Sequence, residues 1–180
     1  MPVTEFVTLK FKQPFTIDHP PIRQGFQTLF IQQSEWSGYP LTLYINTKNE
    51  HIVYLVSGWE DVEAHNTWIA SEANQDLLTY FEPFVTIDDF AHVAIDFAQF
   101  PTEVETLTCR KYSLVGDDQV QLGTEGGHVK NQGEIWAGVG RGEEKPTDIY
   151  RFAAFEAFQS NLDDSDLISM EHIHFNRAEV

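Results

Sequence analysis

Apolar and polar positions in the first half of the chain follow two different periods in turn. Residues 4–11 alternate as a strand does, and the next segment begins with a Pro-Pro pair suited to the first turn of a helix. The apolar face of that helix consists of Ile22, Phe26, Leu29 and Phe30. Two strand-like runs follow, PLTLYIN and HIVYLVS, and the polar segment TKNE between them predicts a β-hairpin.

A second helical pattern begins directly after the hairpin, in the stretch GWEDVEAHNTWIAS. Asp61 stands where an N-cap is expected, and Ser71 is placed to cap a continuation that ends near Pro83. The inward face of the first part consists of Val62, His65, Trp68 and Ile69. The strand FAHVAIDFAQF then ends this half at Pro101. The order β-α-β-β-α-β is that of the split βαβ, or ferredoxin-like, motif.

The second half of the chain resembles the strands of the first half at falling offsets. LKFK resembles RKYS 101 positions later, YLVSGWE resembles YRFAAFE 96 positions later, and HVAIDF resembles HIHFNR 80 positions later. The offset shortens where the second half has only QSNLDDSDL in place of a helix, and its earlier linker is Gly-rich without a helical period. We therefore predict a complete ferredoxin-like repeat in residues 1–100 and a degenerate second repeat, short of helices, in residues 101–180.

An antiparallel sheet that is apolar on both faces must be covered twice. Helices cover one face of the first sheet, and we expect the second repeat to cover the other, sheet against sheet. The predicted fold class is α+β, with tandem ferredoxin-like repeats that form a pseudo-dimeric α+β barrel. Such a chain is expected to be a monomer through internal pseudo-dimerisation, with a homodimer as the alternative.

The chain is strongly acidic, and its formal charge of −17 argues against nucleic acid and against an anionic membrane as partners. Aromatic residues make up 13% of the sequence, which favours a core or cavity lined with rings. The single cysteine, Cys109, lies in a strand-like run and is interpreted as a buried, inert thiol. With no signal-like or membrane-spanning segment, these features predict a cytoplasmic protein.

The strand FAHVAIDF offers a candidate for acid-base chemistry. Its alternation places Phe90, His92, Ala94 and Asp96 on one face. A carboxylate two positions along the same row lies about 6 to 7 Å from the histidine at the backbone, and it can orient the imidazole as a general base. The alternative is that this polar pair faces solvent or the seam between the repeats.

Other side chains of the first half have both a chemical and a structural interpretation. The phenol of Tyr54 can donate a hydrogen bond to a substrate oxygen, or it can complete the core. His65 can line a pocket, or it can hold its helix by donating to a strand carbonyl. Trp59 and Trp68 can form a stacking wall for an aromatic ligand, or they can pack in the core.

The histidines of the second half have the spacing of a metal chelate but are too few. His172 and His174 form a His-x-His pair on a predicted strand. A metal would need a third ligand, such as His128 or a carboxylate. We therefore predict no metal site.

The segment YLVSGWEDVEAHNTWIASEANQDLLTYFEPFV resembles the antibiotic biosynthesis monooxygenase-type proteins. The likeness lies in a strand that ends in Trp, a following acidic residue and an Ala-His pair on a helix. It also includes a further helix that ends with a Leu-Leu pair and then Phe-x-Pro, where x is any residue. These proteins belong to the dimeric α+β barrel superfamily. The resemblance implies an apolar pocket between sheet and helices, within residues 4–100. It also implies cofactor-free oxygenation, ring closure by a His or Tyr acid-base group, or heme-dependent chemistry.

From the residues and this resemblance we expect an enzyme that acts on a small hydrophobic substrate, aromatic or polyketide-like, as in secondary metabolism. The expected activity is that of a cofactor-independent monooxygenase, in which His92 is the base, Asp96 orients it and Tyr54 donates to the oxyanion. The expected substrate-binding residues are Phe26, Trp59, His65, Trp68 and Phe90. The alternatives are a polyketide cyclase, isomerase or dehydratase that uses the same residues, and a non-catalytic binding barrel.

Overall fold

A computed structural model of the chain describes residues 2–113, 133–155 and 167–172. The elements of the first repeat are strand β1 (Val3–Phe11), helix α1 (Pro20–Ser37), strands β2 (Leu41–Asn46) and β3 (Asn49–Trp59), helices α2 (Val62–Ile69) and α3 (Glu72–Phe81), and strand β4 (Val85–Val93). A 3₁₀ turn (Phe97–Gln99) leads to β5 (Thr106–Ser113), β6 (Glu134–Arg141), β7 (Asp148–Phe155) and β8 (Leu167–His172).

The helix boundaries follow from local sequence signals. Two prolines occupy the first turn of α1, and Gly38 ends it with the positive φ of 76° that favours glycine. Asp61 accepts a hydrogen bond from the Ala64 amide at 2.8 Å and caps α2. Ser71 caps α3 in the same way, which confirms both predicted N-caps.

The eight strands form one antiparallel sheet in the order β4-β1-β3-β2-β8-β5-β7-β6. Each half has the same internal order of its fourth, first, third and second strands. The pairing of β2 with β8 joins the halves, and a bridge between Val93 and Gly142 joins the two ends of the sheet. Amide-to-carbonyl hydrogen bonds from Ala94 to Arg141 and from Glu143 to His92, both 2.8 Å, flank that bridge. The sheet therefore closes into the predicted α+β barrel.

The first repeat's sheet packs apolar side chains on both faces. Alternation along β3 turns Leu55 and Trp59 toward the helices and Tyr54 and Val56 toward the barrel interior. The interior contains aromatic rings from both halves, among them Phe6, Tyr54, Phe100, Tyr150 and Phe152. The two halves thus share one core, as expected for a sheet that must be covered twice.

One strand, β4, lies elsewhere than the sequence predicts, and the predicted last strand lies mostly outside the described residues. β4 begins at Val85 and ends at Val93, because Asp96 accepts from the Ala98 amide at 3.0 Å and starts the 3₁₀ turn. β8 is described from Leu167 to His172, so only His172 of the predicted strand HIHFNR lies within the described residues. The predictions of a Gly-rich linker and of a missing helix concern residues 115–134 and 159–167, which lie mostly outside the described residues.

Within the described ranges, no helix combines the length and apolar character needed to cross a membrane.

Candidate functional site

A cavity of about 700 Å³ lies between the helix-facing side of the first repeat's sheet and the three helices. Its apolar walls include Val7, Leu9, Phe26, Leu29, Trp68 and Leu77. These side chains belong to the core between the helices and the sheet, so residues that stabilise the repeat also line the cavity. Its volume is typical of sites that bind small organic ligands.

The two ends of the cavity differ in chemistry. At one end lie the polar groups of Glu5, Gln33 and His65. At the other end the Lys12 ammonium donates to the main-chain carbonyl of Glu82 at 2.5 Å. Because Glu5 and Lys12 are seven positions apart along an extended segment, the cavity is about 20 Å long. It is an elongated apolar slot with an acid-base group at one end and a cation at the other.

Glu5 is a buried carboxylate, only 4% exposed, in the middle of the inward row of β1. Its Oε2 accepts hydrogen bonds from Ser57 Oγ at 2.5 Å, Trp59 Nε1 at 2.7 Å and Gln33 Nε2 at 3.1 Å. A carboxylate can be buried only where such donors replace water. These donors, from β3 and α1, hold the side chain so that its other oxygen faces His65.

The two histidines connect this carboxylate to a second one at the protein surface. His65 Nδ1 and His92 Nε2 are 2.7 Å apart, and His65 Nε2 lies 3.5 Å from Glu5 Oε1. His92 Nδ1 forms a short hydrogen bond with the Glu144 carboxylate, which also accepts from the His92 amide at 3.1 Å. The side chain of Glu144 is 45% exposed, whereas those of His65 and His92 are nearly inaccessible. We call Glu5, His65, His92 and Glu144 the histidine chain.

Aromatic rings fix the orientation of both imidazoles. The rings of Trp59 and His65 stack with centroids 4.3 Å apart and an interplanar angle of 20°. The Phe90 ring meets His92 edge-on at 4.9 Å and lies 5.6 Å from His65. The imidazoles therefore have little freedom to rotate, and the hydrogen bonds between them are held in place.

Burial is the strongest influence on His65 and lowers its pKa from the ordinary value of 6.5. Glu5 opposes this effect, His92 adds to it, and Glu144 also opposes it. Burial acts to raise the pKa of Glu144, but hydrogen bonds from the His92 ring and from main-chain amides give a net lowering. His65 is therefore neutral near neutral pH, next to a carboxylate that attracts any proton it takes up.

When both imidazoles are neutral, one arrangement of ring protons satisfies these hydrogen bonds. The Glu144 carboxylate accepts, so Nδ1 of His92 donates, and in the neutral ring Nε2 of His92 must accept. The proton between the two rings then belongs to Nδ1 of His65. Neutral His65 is left with an unprotonated Nε2, and no described residue forms a hydrogen bond to that atom. This nitrogen can accept a proton from a ligand in the cavity.

Four of the predicted substrate-binding residues, Phe26, His65, Trp68 and Phe90, line the cavity. Trp59 stands behind His65, fully buried, and supports the site without lining it. His92 is one hydrogen bond removed from the cavity, through His65.

Two predicted catalytic residues are not at the cavity. The prediction that Asp96 orients His92 is wrong, because β4 ends before Asp96 and that carboxylate caps the 3₁₀ turn; Glu144 takes the orienting position instead. Tyr54 points to the opposite face of the sheet. Its ring stacks on Phe6 with centroids 5.6 Å apart, and its hydroxyl accepts from Asn46 Nδ2 at 2.7 Å inside the barrel.

The remaining predicted ligands and nucleophiles form no second site in the described part of the chain. There, no group of three or more His, Cys, Asp and Glu side chains is arranged to hold a metal ion. His172 pairs with Tyr44 in the sheet, while His128 and His174 lie outside the described residues. Cys109 is fully buried, and burial raises the pKa of its thiol, as expected for an inert cysteine.

Sequence reasoning missed Glu5 and Glu144 for different reasons. Glu5 had a signal, because it is the charged residue in the inward row of a strand that otherwise carries Val3, Val7 and Leu9. A charged side chain in such a row must have partners. Glu144 had no local signal, since it follows β6 in a polar loop and meets His92 only when the barrel closes.

Comparison with known proteins finds no matching family model and no matching curated protein. Solved structures do match. A "Putative monooxygenase" from Fusobacterium nucleatum subsp. nucleatum is 10% identical with a TM-score of 0.58, and the match covers 95% of this chain and 91% of that one. A "Putative Chlorite dismutase" is 6% identical with a TM-score of 0.63, covering 96% and 95%.

A third solved structure, of an anthrone oxidase-like protein, is 10% identical with a TM-score of 0.50, and the match covers 96% of this chain and 92% of that one. At these identities the likeness shows the fold alone. The match extends over nearly the whole chain, so both repeats are included in the shared architecture. The chain therefore shares its α+β barrel fold with these solved structures over nearly its whole length.

Proposed function

We propose that this protein is a cofactor-independent monooxygenase that oxidises an elongated, hydrophobic carbon acid, aromatic or polyketide-like, in the cavity under the helices. The observation that carries the proposal is the position of His65, which lines an apolar slot with its Nε2 3.5 Å from the buried carboxylate of Glu5. A base with a lowered pKa in an apolar site is suited to remove a weakly acidic proton at neutral pH.

In the first step, His65 Nε2 takes a proton from an activated CH₂ group of the substrate, and the C–H electron pair stays on carbon. The new N–H of the imidazolium faces Glu5 Oε1, which stabilises the positive charge. This interaction exists only after proton transfer, so it lowers the barrier without tightening substrate binding.

The carbanion then reacts with dioxygen, which is the oxidant. Transfer of electrons from carbon to oxygen forms a C–O bond and a peroxide anion, and the proton held by His65 returns to give a hydroperoxide. Loss of the second C–H proton and departure of hydroxide, which takes up a proton, leaves a carbonyl. The balance is R₂CH₂ + O₂ → R₂C=O + H₂O, and no external reductant is required.

The shape of the cavity supports the proposed substrate class. A slot about 20 Å long with walls of Phe26, Trp68 and Phe90 suits fused rings that stack between aromatic side chains. Lys12 at the far end can receive a polar or anionic group of the same molecule. One of the matching structures is named anthrone oxidase-like, and anthrone is a flat three-ring carbon acid. An anthrone is therefore a suitable first probe.

Oxygen consumption with an anthrone tests the proposal directly. In air-saturated buffer we expect the protein to convert the anthrone to the quinone with one O₂ consumed per molecule, faster than the uncatalysed reaction. The measurement combines an oxygen electrode with absorbance of the product. If the protein consumes the probe at the same rate without oxygen, it is a cyclase or isomerase with the same base. If it binds the probe and never converts it, the binding-barrel alternative gains support.

Filling the cavity should abolish ligand binding. Leu29 projects from α1 into the slot, and Leu29→Trp would occupy space that the ligand needs, so we expect at least about a tenfold loss of affinity for the anthrone. Ile31 lies on the same helix, is 47% exposed and does not line the cavity. Ile31→Trp is the matched control and should bind as the unmodified protein does, by fluorescence titration. Equal affinities in both variants would place the ligand elsewhere.

A further inference from the structure

We propose that Glu144, supplied by the second repeat, is a positioning residue that connects the cavity base to solvent through a proton relay along the histidine chain. The inference rests on the proposed function in that His65 is taken as the base. It assigns a role to the second repeat, whose own described strands carry no helix-covered cavity. The relay would exchange protons between His65 in the cavity and bulk water.

The seam of the barrel, where the end of β4 meets β6 and the loop that follows it, holds Glu144 against His92. The amide of Glu143 donates to the His92 carbonyl at 2.8 Å, and the amide of Gly142 donates to the Asp148 carbonyl at 2.9 Å. The loop between β6 and β7 is thus anchored on both the strand β4 and its own hairpin. The Glu144 carboxylate then receives both the ring Nδ1–H and the main-chain N–H of His92.

Each proton transfer along the chain is balanced. A proton from the ligand binds to His65 Nε2, the proton of His65 Nδ1 passes 2.7 Å to His92 Nε2, and the proton of His92 Nδ1 passes to the Glu144 carboxylate. Glu144 releases it to water. Both rings have then changed tautomer, and the same steps in reverse return protons to the peroxide and the leaving hydroxide. The net reaction takes no proton from solvent, because both protons of the product water come from the substrate. The relay lets His65 exchange its proton with solvent between these steps.

Exposure determines which end of the chain can exchange with water. Glu144 is the solvent end, with a side chain 45% exposed. The Glu5 side chain is 6% exposed and its Oε2 is occupied by three donors. His65 and His92 are buried between them. A proton that leaves His65 from Nδ1 therefore reaches water through His92 and Glu144.

The groups that act electrostatically on His65 come from three elements. They are Glu5 of β1, His92 of β4 and Glu144 of the loop after β6. Both carboxylates raise the pKa of His65, so removing the charge of Glu144 lowers that pKa further. A purely structural role of Glu144 at the seam would not require any of these effects, since Glu144→Gln keeps an acceptor for the His92 hydrogen bonds.

Histidine ¹⁵N NMR of the full chain tests the relay without a substrate. At about pH 8 we expect His65 of the unmodified protein as the neutral Nδ1–H tautomer and the Nδ1 of His92 to carry a proton directed at Glu144. In Glu144→Gln we expect the titration midpoint of His65 to move to lower pH, and the ring protons to exchange with water at least about tenfold more slowly. Glu143→Gln, with the same charge change one residue away, is the control and should behave as the unmodified protein.

An Nε2–H tautomer of neutral His92 in the unmodified protein would overturn the relay, even if the variant did not fold. An unchanged midpoint and exchange rate in a folded Glu144→Gln protein would also overturn it. These readouts are independent of turnover. A confirmed relay in a protein that does not oxidise anthrones would contradict the proposed function alone.

Discussion

Replacing His65 with glutamine is expected to lower the rate of anthrone oxidation by about 10²- to 10⁴-fold, the usual contribution of a general base. Glutamine can keep a hydrogen bond to His92 and fills a similar volume in the stack on Trp59. It cannot accept a proton near neutral pH. We therefore expect the loss in kcat, with anthrone affinity close to that of the unmodified protein, because the apolar walls of the cavity are unchanged.

His51 provides a matched control for this substitution. It lies on β3 outside the cavity, where its Nδ1 is 3.0 Å from the carbonyl of Phe15. His51→Gln should therefore retain the full rate. Circular dichroism would establish that both variants are folded. A His65→Gln protein that binds and oxidises the anthrone at the normal rate would remove His65 from the mechanism.

The second large effect is expected in the barrel interior, far from the cavity. Phe152 is fully buried, and its ring meets Phe6 edge-on at 5.1 Å and Phe100 at 5.6 Å. Truncation of such a ring costs about 3 to 5 kcal/mol, which is a large part of the 5 to 15 kcal/mol by which domains are usually stable. Since Phe6 belongs to the first repeat, Phe152→Ala should destabilise both halves together.

Urea unfolding followed by two signals measures this effect. Circular dichroism reports on all elements, whereas tryptophan fluorescence reports on Trp36, Trp59 and Trp68 of the first repeat and on Trp136 of the second. We expect a single coincident transition that moves to lower urea in Phe152→Ala. Val139→Ala, at a position 43% exposed, should change the free energy of unfolding by about 0.5 kcal/mol or less. Two separate transitions would show that the repeats fold as independent domains.

The elements that sequence predicts well here are those set by neighbours in the chain. Asp61 and Ser71 cap their helices because a side chain three residues before an amide is always within reach of it in a first turn. The hairpin and the alternation of β3 follow from period and turn chemistry. The same alternation correctly separated Phe90 and His92 from Ala91 and Val93 on β4.

The errors concern contacts between distant segments. Asp96 was chosen as the partner of His92 because it stands nearby in sequence. The carboxylate that reaches His92 lies 52 residues away, since the chain leaves the strand at Ala94 and the seam brings in the loop after β6.

By itself the sequence determined the α+β architecture, the position of the helices that cover the sheet of the first repeat and four of the side chains that line the cavity beneath them. These follow from periodicity, capping and the need to cover an apolar sheet, which are properties of local segments. Only the tertiary structure decided that Glu5, His65, His92 and Glu144 form one chain and that Tyr54 faces away from it. The physical reason is that a hydrogen bond depends on position within a few tenths of an ångström, and that position is set by closure of the whole barrel.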